Sequence, residues 1–126
     1  MAGSKGSKYY NIFLNYNVWL ENKETKHIII NDELFCLLLL IEKENSLMRA
    51  SEEFGVSYRK AWGLIKEAEM ELKICLVKRQ RGGDKGGRSE LSSDGKILIE
   101  AYNELKEEIT NSIHKITKKF FNSINV

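Results

Sequence analysis

A chain of 126 residues fits a single domain, and its 42% hydrophobic residues suffice for a thin core, while a formal net charge of +2 selects no partner by itself. The longest apolar run, Leu34 to Ile41, is flanked by Glu33 and Glu42 and is too short to cross a bilayer, so no membrane partner is expected. The first ten residues lack the apolar stretch of a secretory signal, and Cys36 and Cys75 stand far apart in apolar segments. These features predict a cytoplasmic protein with two buried, reduced thiols and no disulfide framework.

Residues 1–8 read as a mobile, mildly basic tail. From Ile12 the apolar residues alternate (Ile12, Leu14, Tyr16, Val18, Leu20), which predicts a half-buried strand. The polar segment ENKETK then turns the chain into a second strand, His27 to Ile30. Asn31 or Asp32 is placed to cap a helix running to about Glu44. That helix is apolar nearly all round, through Leu34, Phe35, Leu37, Leu38, Leu39, Leu40 and Ile41, so a second subunit is expected to cover part of it.

Ser46 caps a short helix, Leu47 to Phe54, and Gly55 stops it at a position suited to positive φ. Ser57 caps a third helix, Tyr58 to about Leu72, with Ala61, Leu64, Ile65, Ala68 and Leu72 facing inward. Ser51 supplies a small residue where the two helices meet. Helix, glycine turn, helix is the helix-turn-helix pattern. A strand from Lys73 to Gln80 follows, and a return strand is expected at Ser89 to Ser92. Between them QRGGDKGGR holds four of the nine glycines within Gly82 to Gly87. Glycine this dense suits neither strand nor helix but suits a hairpin tip.

The last helix begins at Ser92 or Ser93 and is expected to reach about Phe121. Its stripe is Leu98, Tyr102, Leu105, Ile109, Ile113, Ile116 and Phe120. A helix of roughly thirty residues is about 45 Å long. Its distal half then needs another surface, which a second copy would supply. The expected dimer interface is therefore this stripe together with Leu34, Leu38 and Ile41 of the first helix. The expected fold is α+β and mostly helical: a winged helix-turn-helix over 9–92 with an N-terminal β-hairpin, then a long C-terminal dimerisation helix over 93–126.

Charge is unevenly spread. Val56 to Arg88 carries nine Lys/Arg against four Asp/Glu, and the rest of the chain carries eleven against fourteen. A local excess of five positive charges on this frame points to a polyanion.

Four stretches, NVWLEN, SYRKAW, GGDKGG and LSSDG, stand in an order that resembles the N-terminal DNA-binding domain of ModE-type molybdate-responsive transcription regulators, a LysR-like winged helix. Val18, Trp19, Leu20 and Glu21 match that family's first motif. Ser57, Tyr58, Ala61 and Trp62 match its recognition segment, and Gly82, Gly83, Gly86 and Gly87 its wing. Leu91 and Gly95 match its L-T-x-x-G helix start, with Ser92 in place of threonine. The likeness covers about residues 13–110 and implies a DNA-binding dimer of winged helices. Molybdate sensing in that family belongs to C-terminal oxyanion-binding domains. These 126 residues hold no counterpart of them, so molybdate binding is not carried over to this chain.

On this frame the third helix enters the major groove of double-stranded DNA with its N-terminal half nearest the bases. Its expected contact residues are Ser57, Tyr58, Arg59, Lys60, Trp62, Gly63 and Lys66, with Arg59 suited to guanine O6/N7 and Trp62 expected to pack half-buried. In the wing, Lys78, Arg79, Arg81, Lys85 and Arg88 are expected on phosphates, with Gly82, Gly83, Gly86 and Gly87 allowing close approach. No cofactor is expected, because His27 and His114 are far apart and no Cys/His cluster has metal-ligand spacing. No catalytic constellation is apparent, and GGDKGGRS does not fit a nucleotide-binding P-loop. Two other readings stay open: a protein-interaction module on the same frame, and a single-strand or RNA binder, which would need a stacking platform.

Overall fold

A computed structural model describes residues 8–80 and 88–125. The elements run β1 (Leu20–Glu21), β2 (Ile28–Ile30), α1 (Asp32–Glu44), α2 (Leu47–Phe54), α3 (Tyr58–Leu72), β3 (Val77–Gln80), β4 (Arg88–Leu91) and α4 (Ser93–Ile124). The fold is α+β and mostly helical, a winged helix-turn-helix with an N-terminal hairpin and a long C-terminal helix. Contacts divide the chain into two units: Val18–Tyr102, which holds the winged helix and the first turns of α4, and Met1–Asn17 with Asn103–Val126. The division falls inside α4, ten residues past the expected boundary at 92/93.

In the larger unit, each helix starts where a polar side chain accepts an orphan amide. Asn31 caps α1 through Leu34 N at 3.0 Å, Ser46 caps α2 through Arg49 N at 3.1 Å, and Ser57 caps α3 through Lys60 N at 3.0 Å. Asn45, Gly55 and Lys73 end α1, α2 and α3 in the left-handed region. The core between them is Ile30, Leu34, Leu37, Leu38, Ile41, Leu47, Ala50, Ala61, Ile65, Ala68, Leu76, Val77, Leu91, Ile99 and Tyr102.

This core corrects the expectation for α1. Leu34, Leu38 and Ile41 are 4%, 0% and 0% exposed within the single chain. The chain's own elements cover these three side chains, whereas Leu39 on the same helix stays 40% exposed. Tyr102 is likewise buried, its ring 5.0 Å from that of Phe35. Its hydroxyl donates to Asp32 Oδ1 at 3.1 Å and lies 3.3 Å from the Val18 carbonyl oxygen. Burial and the Asp32 carboxylate push its pKa up to about 12.

Three further expectations are corrected. The strand foreseen from Ile12 shrinks to the two residues of β1. Ile12, Leu14, Tyr16 and Leu20 are all at least 43% exposed. Alternation makes a strand only where a partner of equal length exists, and β2 offers three residues, with a register shift between Leu20 and Glu21. Their turn is closed by Asn22 Oδ1, which accepts the amides of Glu24 and Thr25. The strand foreseen from Lys73 begins at Val77. Lys73 is spent on capping α3, and β4 ends opposite Val77. Cys36 and Cys75 are free thiols as expected, but both are exposed rather than buried.

In the smaller unit, residues 103–124 of α4 continue helical past Phe121 to Ile124. Here Tyr9, Ile12, Phe13 and Leu14 face Ile116, Thr117, Phe120, Phe121 and Ile124 across an apolar groove of about 500 Å³.

Candidate nucleic-acid interface

The α2–α3 pair is fixed by its turn. Gly55 adopts φ 87°, and its amide and that of Val56 both bond the Ser51 carbonyl. Ser51 is 2% exposed and folds its hydroxyl back onto Met48 O. A larger side chain there would hold α2 off its neighbours.

The stripe Ala61, Ile65 and Ala68 turns α3 so that Arg59, Gly63 and Met70 face outward. Arg59 is exposed and makes no hydrogen bond or ion pair among the described residues. A Cβ on Gly63 would meet nothing within 4 Å there. Lys60 is exposed, 4.0 Å from Glu33. Lys66 is engaged: its ammonium lies 3.2 Å from Glu69 and 4.5 Å from the Trp62 ring centre. Ser57 spends its side chain on the cap. Tyr58 and Trp62 are half-buried against the core, as foreseen for Trp62.

The strands β3 and β4 pair antiparallel with Arg79 opposite Ser89, Lys78 opposite Glu90 and Gln80 opposite Arg88. Side chains alternate across a strand. Val77, Arg79, Ser89 and Leu91 therefore share one face, on which Val77, Ser89 and Leu91 are buried. Lys78, Gln80, Arg88 and Glu90 share the other, which is exposed. Arg79 is aimed at α3, its guanidinium carbon 5.4 Å from the Trp62 ring centre and 5.9 Å from that of Tyr58. The expected wing residues Arg81, Gly82, Gly83, Lys85, Gly86 and Gly87 lie outside the described residues.

The residues foreseen for an interface between copies separate into two groups. Leu34, Leu38, Ile41 and Tyr102 belong to the core of the winged unit, and Leu98 is half-buried beside that core. Leu105, Ile109 and Ile113 are half-buried along α4, whereas Ile116 and Phe120 are 63% and 49% exposed.

Two acids of α3 fasten the frame around the site. Glu69 Oε2 accepts the amides of Leu76 and Val77 at 2.7 and 3.3 Å, which fastens the start of β3 to α3. The available signal was its spacing: Glu69 is seven residues past Trp62 and shares its side of the helix. Glu71 gathers His27 Nδ1 at 2.7 Å, Asn22 Nδ2 at 2.9 Å and Thr25 Oγ1 at 3.5 Å. Its hydrogen bond with His27 is the main cause holding its carboxyl below the ordinary value of 4.5, against an opposing contribution from burial. The partners are 44 to 49 residues away in sequence, so no local pattern announces them.

Two short helices about a glycine turn, an outward cationic helix face and an adjoining hairpin give the geometry of a winged helix-turn-helix. Comparison with known proteins adds sequence. The molybdenum transport protein ModE of Azotobacter vinelandii is 29% identical over 90 residues, covering 71% of this chain and 33% of that protein. The DNA-binding transcriptional dual regulator ModE of Escherichia coli (strain K12) is 34% identical over 71 residues, covering 56% and 27%. This chain is similar to ModE-type regulators. The molybdenum-pterin-binding protein MopB of Rhodobacter capsulatus is also 30% identical over 94 residues, covering 75% of this chain and 33% of its own length. The chain thus spans about a third or less of the ModE-type relatives it matches. Among solved structures, ArgP from Mycobacterium tuberculosis has a TM-score of 0.49 at 14% identity, covering 68% of this chain and 30% of that one. No protein-family model matches.

Proposed function

We propose that this chain is a DNA-binding transcriptional regulator that acts on double-stranded DNA as a homodimer. The observation that carries the reading is the outer face of α3: Arg59 without a hydrogen-bond or ion-pair partner among the described residues, one turn from a glycine that nothing among them requires. Gly63 costs about 1 kcal/mol of helix propensity relative to alanine. Close approach of a duplex gives it a purpose, and Arg59 one turn earlier would meet base edges. Lys78 and Arg88, on the exposed face of the hairpin, together with Arg81 and Lys85 of the glycine-rich tip, would neutralise phosphates. The two copies would join through the second half of α4, where Ile116 and Phe120 are exposed. The ModE-type resemblance supports the same reading.

The test is duplex selection from a random pool, followed by titration at several salt concentrations. A two-fold repeated half-site is expected, with affinity falling steeply as salt rises. Replacing Arg81, Lys85 and Arg88 together should flatten that dependence; a triple variant binding like the parent would refute the wing assignment. The apolar groove beside Ile116 and Phe120 favours the second reading, a protein-interaction module. Duplex binding weaker than about 10⁻⁴ M at physiological salt would select it.

A further inference from the structure

We propose that Arg79 is a positioning residue that ties the wing to the recognition helix, rather than a phosphate ligand; the inference rests on the DNA-binding reading above. Strand parity separates Arg79 from its cationic neighbours. It shares the face of Val77, opposite the buried Ser89, while Lys78 and Arg88 point to the other side. On its own side it meets two aromatic faces of α3, Tyr58 and Trp62, both held half-buried by the core. A guanidinium is planar and weakly hydrated, so it retains attraction to a ring face that an ammonium on a flexible stem loses to water.

The hairpin needs such a tie. Two four-residue strands are marginal alone. Glu69 fastens the base of β3 through the Leu76 and Val77 amides. Arg79 adds a second point two residues past Val77, and two points fix a direction where one leaves a pivot. Lys66 also lies over Trp62, and its bond to Glu69 offsets the repulsion of two cations at one indole. Tyr58, Trp62, Lys66, Glu69 and Arg79 then hold helix and wing as one rigid reading head, with the cost of ordering the wing met before DNA arrives.

The experiment uses Trp19→Phe, which leaves Trp62 as the sole indole, and adds Arg79→Lys or Arg79→Ala. Without DNA, both should raise acrylamide quenching of Trp62. With the selected duplex, both should weaken binding about five-fold, while Arg79→Lys keeps the parental salt slope because its charge is kept. In a Trp62→Leu background, which stays apolar but removes one of the two rings, Arg79→Lys should add a smaller further loss than it does in the parent. Parental quenching in Arg79→Lys would overturn the tie. So would parental affinity in Arg79→Lys together with a salt slope lower by about one in Arg79→Ala, the signature of a direct phosphate contact. If no variant or parent binds duplex, the DNA reading fails while the quenching result still decides whether the tie exists.

Discussion

Gly95 lies against the carbonyl oxygen of Leu76, where a Cβ would be driven into the backbone. The glycine is buried in the first turn of α4, and its amide donates to Ser92 Oγ at 2.9 Å. The Ser92 amide in turn bonds Leu76 O at 2.8 Å, and its hydroxyl donates to Cys75 O. The start of α4 is thus stapled to the segment leading into β3, and only a residue without a side chain fits the crossing. Gly95→Ala should destabilise the fold by about 2 kcal/mol through overpacking, despite alanine's better helix propensity. The midpoint of urea unfolding reads this directly, and a midpoint at or above the parent's would show that α4 can start elsewhere.

Gly63 predicts the opposite sign. A Cβ there has open space on an exposed helix face, so Gly63→Ala should raise stability by about 0.5–1 kcal/mol. If α3 meets DNA with this face, the same variant should bind the selected duplex more weakly. Parallel thermal unfolding and binding titrations check both halves. A stabilised protein with undiminished affinity would move the contact surface away from Gly63.

Glu71 ties the N-terminal hairpin to the end of α3, and its lowered pKa makes that tie pH-dependent. A carboxyl whose folded pKa is depressed contributes stability that is present above the unfolded value of about 4.5 and lost as pH falls through the folded value below it. Glu71→Gln should therefore lie below the parent in melting temperature above the ordinary carboxyl value of 4.5, with the gap closing as pH falls below it. A gap that stays constant across that range would mean that ionisation of Glu71 adds no stability to the fold.

The distal part of α4 carries the dimer prediction. Ile116 and Phe120 are exposed, Lys118 lies on the opposite side of the helix, and Lys115 and Lys119 flank the stripe along one edge. Two copies can meet through the apolar stripe while the lysines stay in water. Replacing Ile116 and Phe120 with glutamate should convert a dimer to a monomer in sedimentation equilibrium, with melting of the winged unit little changed. A dimer that persists would move the interface elsewhere.

Much of the frame was legible because its signals are local. Asn31, Ser46 and Ser57 cap helices whose limits, Leu47–Phe54 and Tyr58–Leu72 among them, follow from caps, a glycine stop and a 3.6-residue stripe. Two of the errors share a source. Alternation from Ile12 and apolarity all round α1 describe what a segment offers, not what is opposite it. The first found too short a partner in β2, and the second found cover for Leu34, Leu38 and Ile41 within the same chain.

The candidate site divides in the same way. Arg59, Gly63 and the glycine-rich tip could be singled out by residue type and spacing alone. That Arg79 turns toward Tyr58 and Trp62 while Lys78 turns away depended on the β3–β4 register. The sequence by itself determined helix limits, caps and the placement of charge, because those depend on residues within a turn or two of one another. Only the tertiary structure decided which of these residues are spent internally, as with Glu69, Glu71, Lys66 and Arg79. Those contacts join segments whose meeting depends on how the whole chain closes around its core.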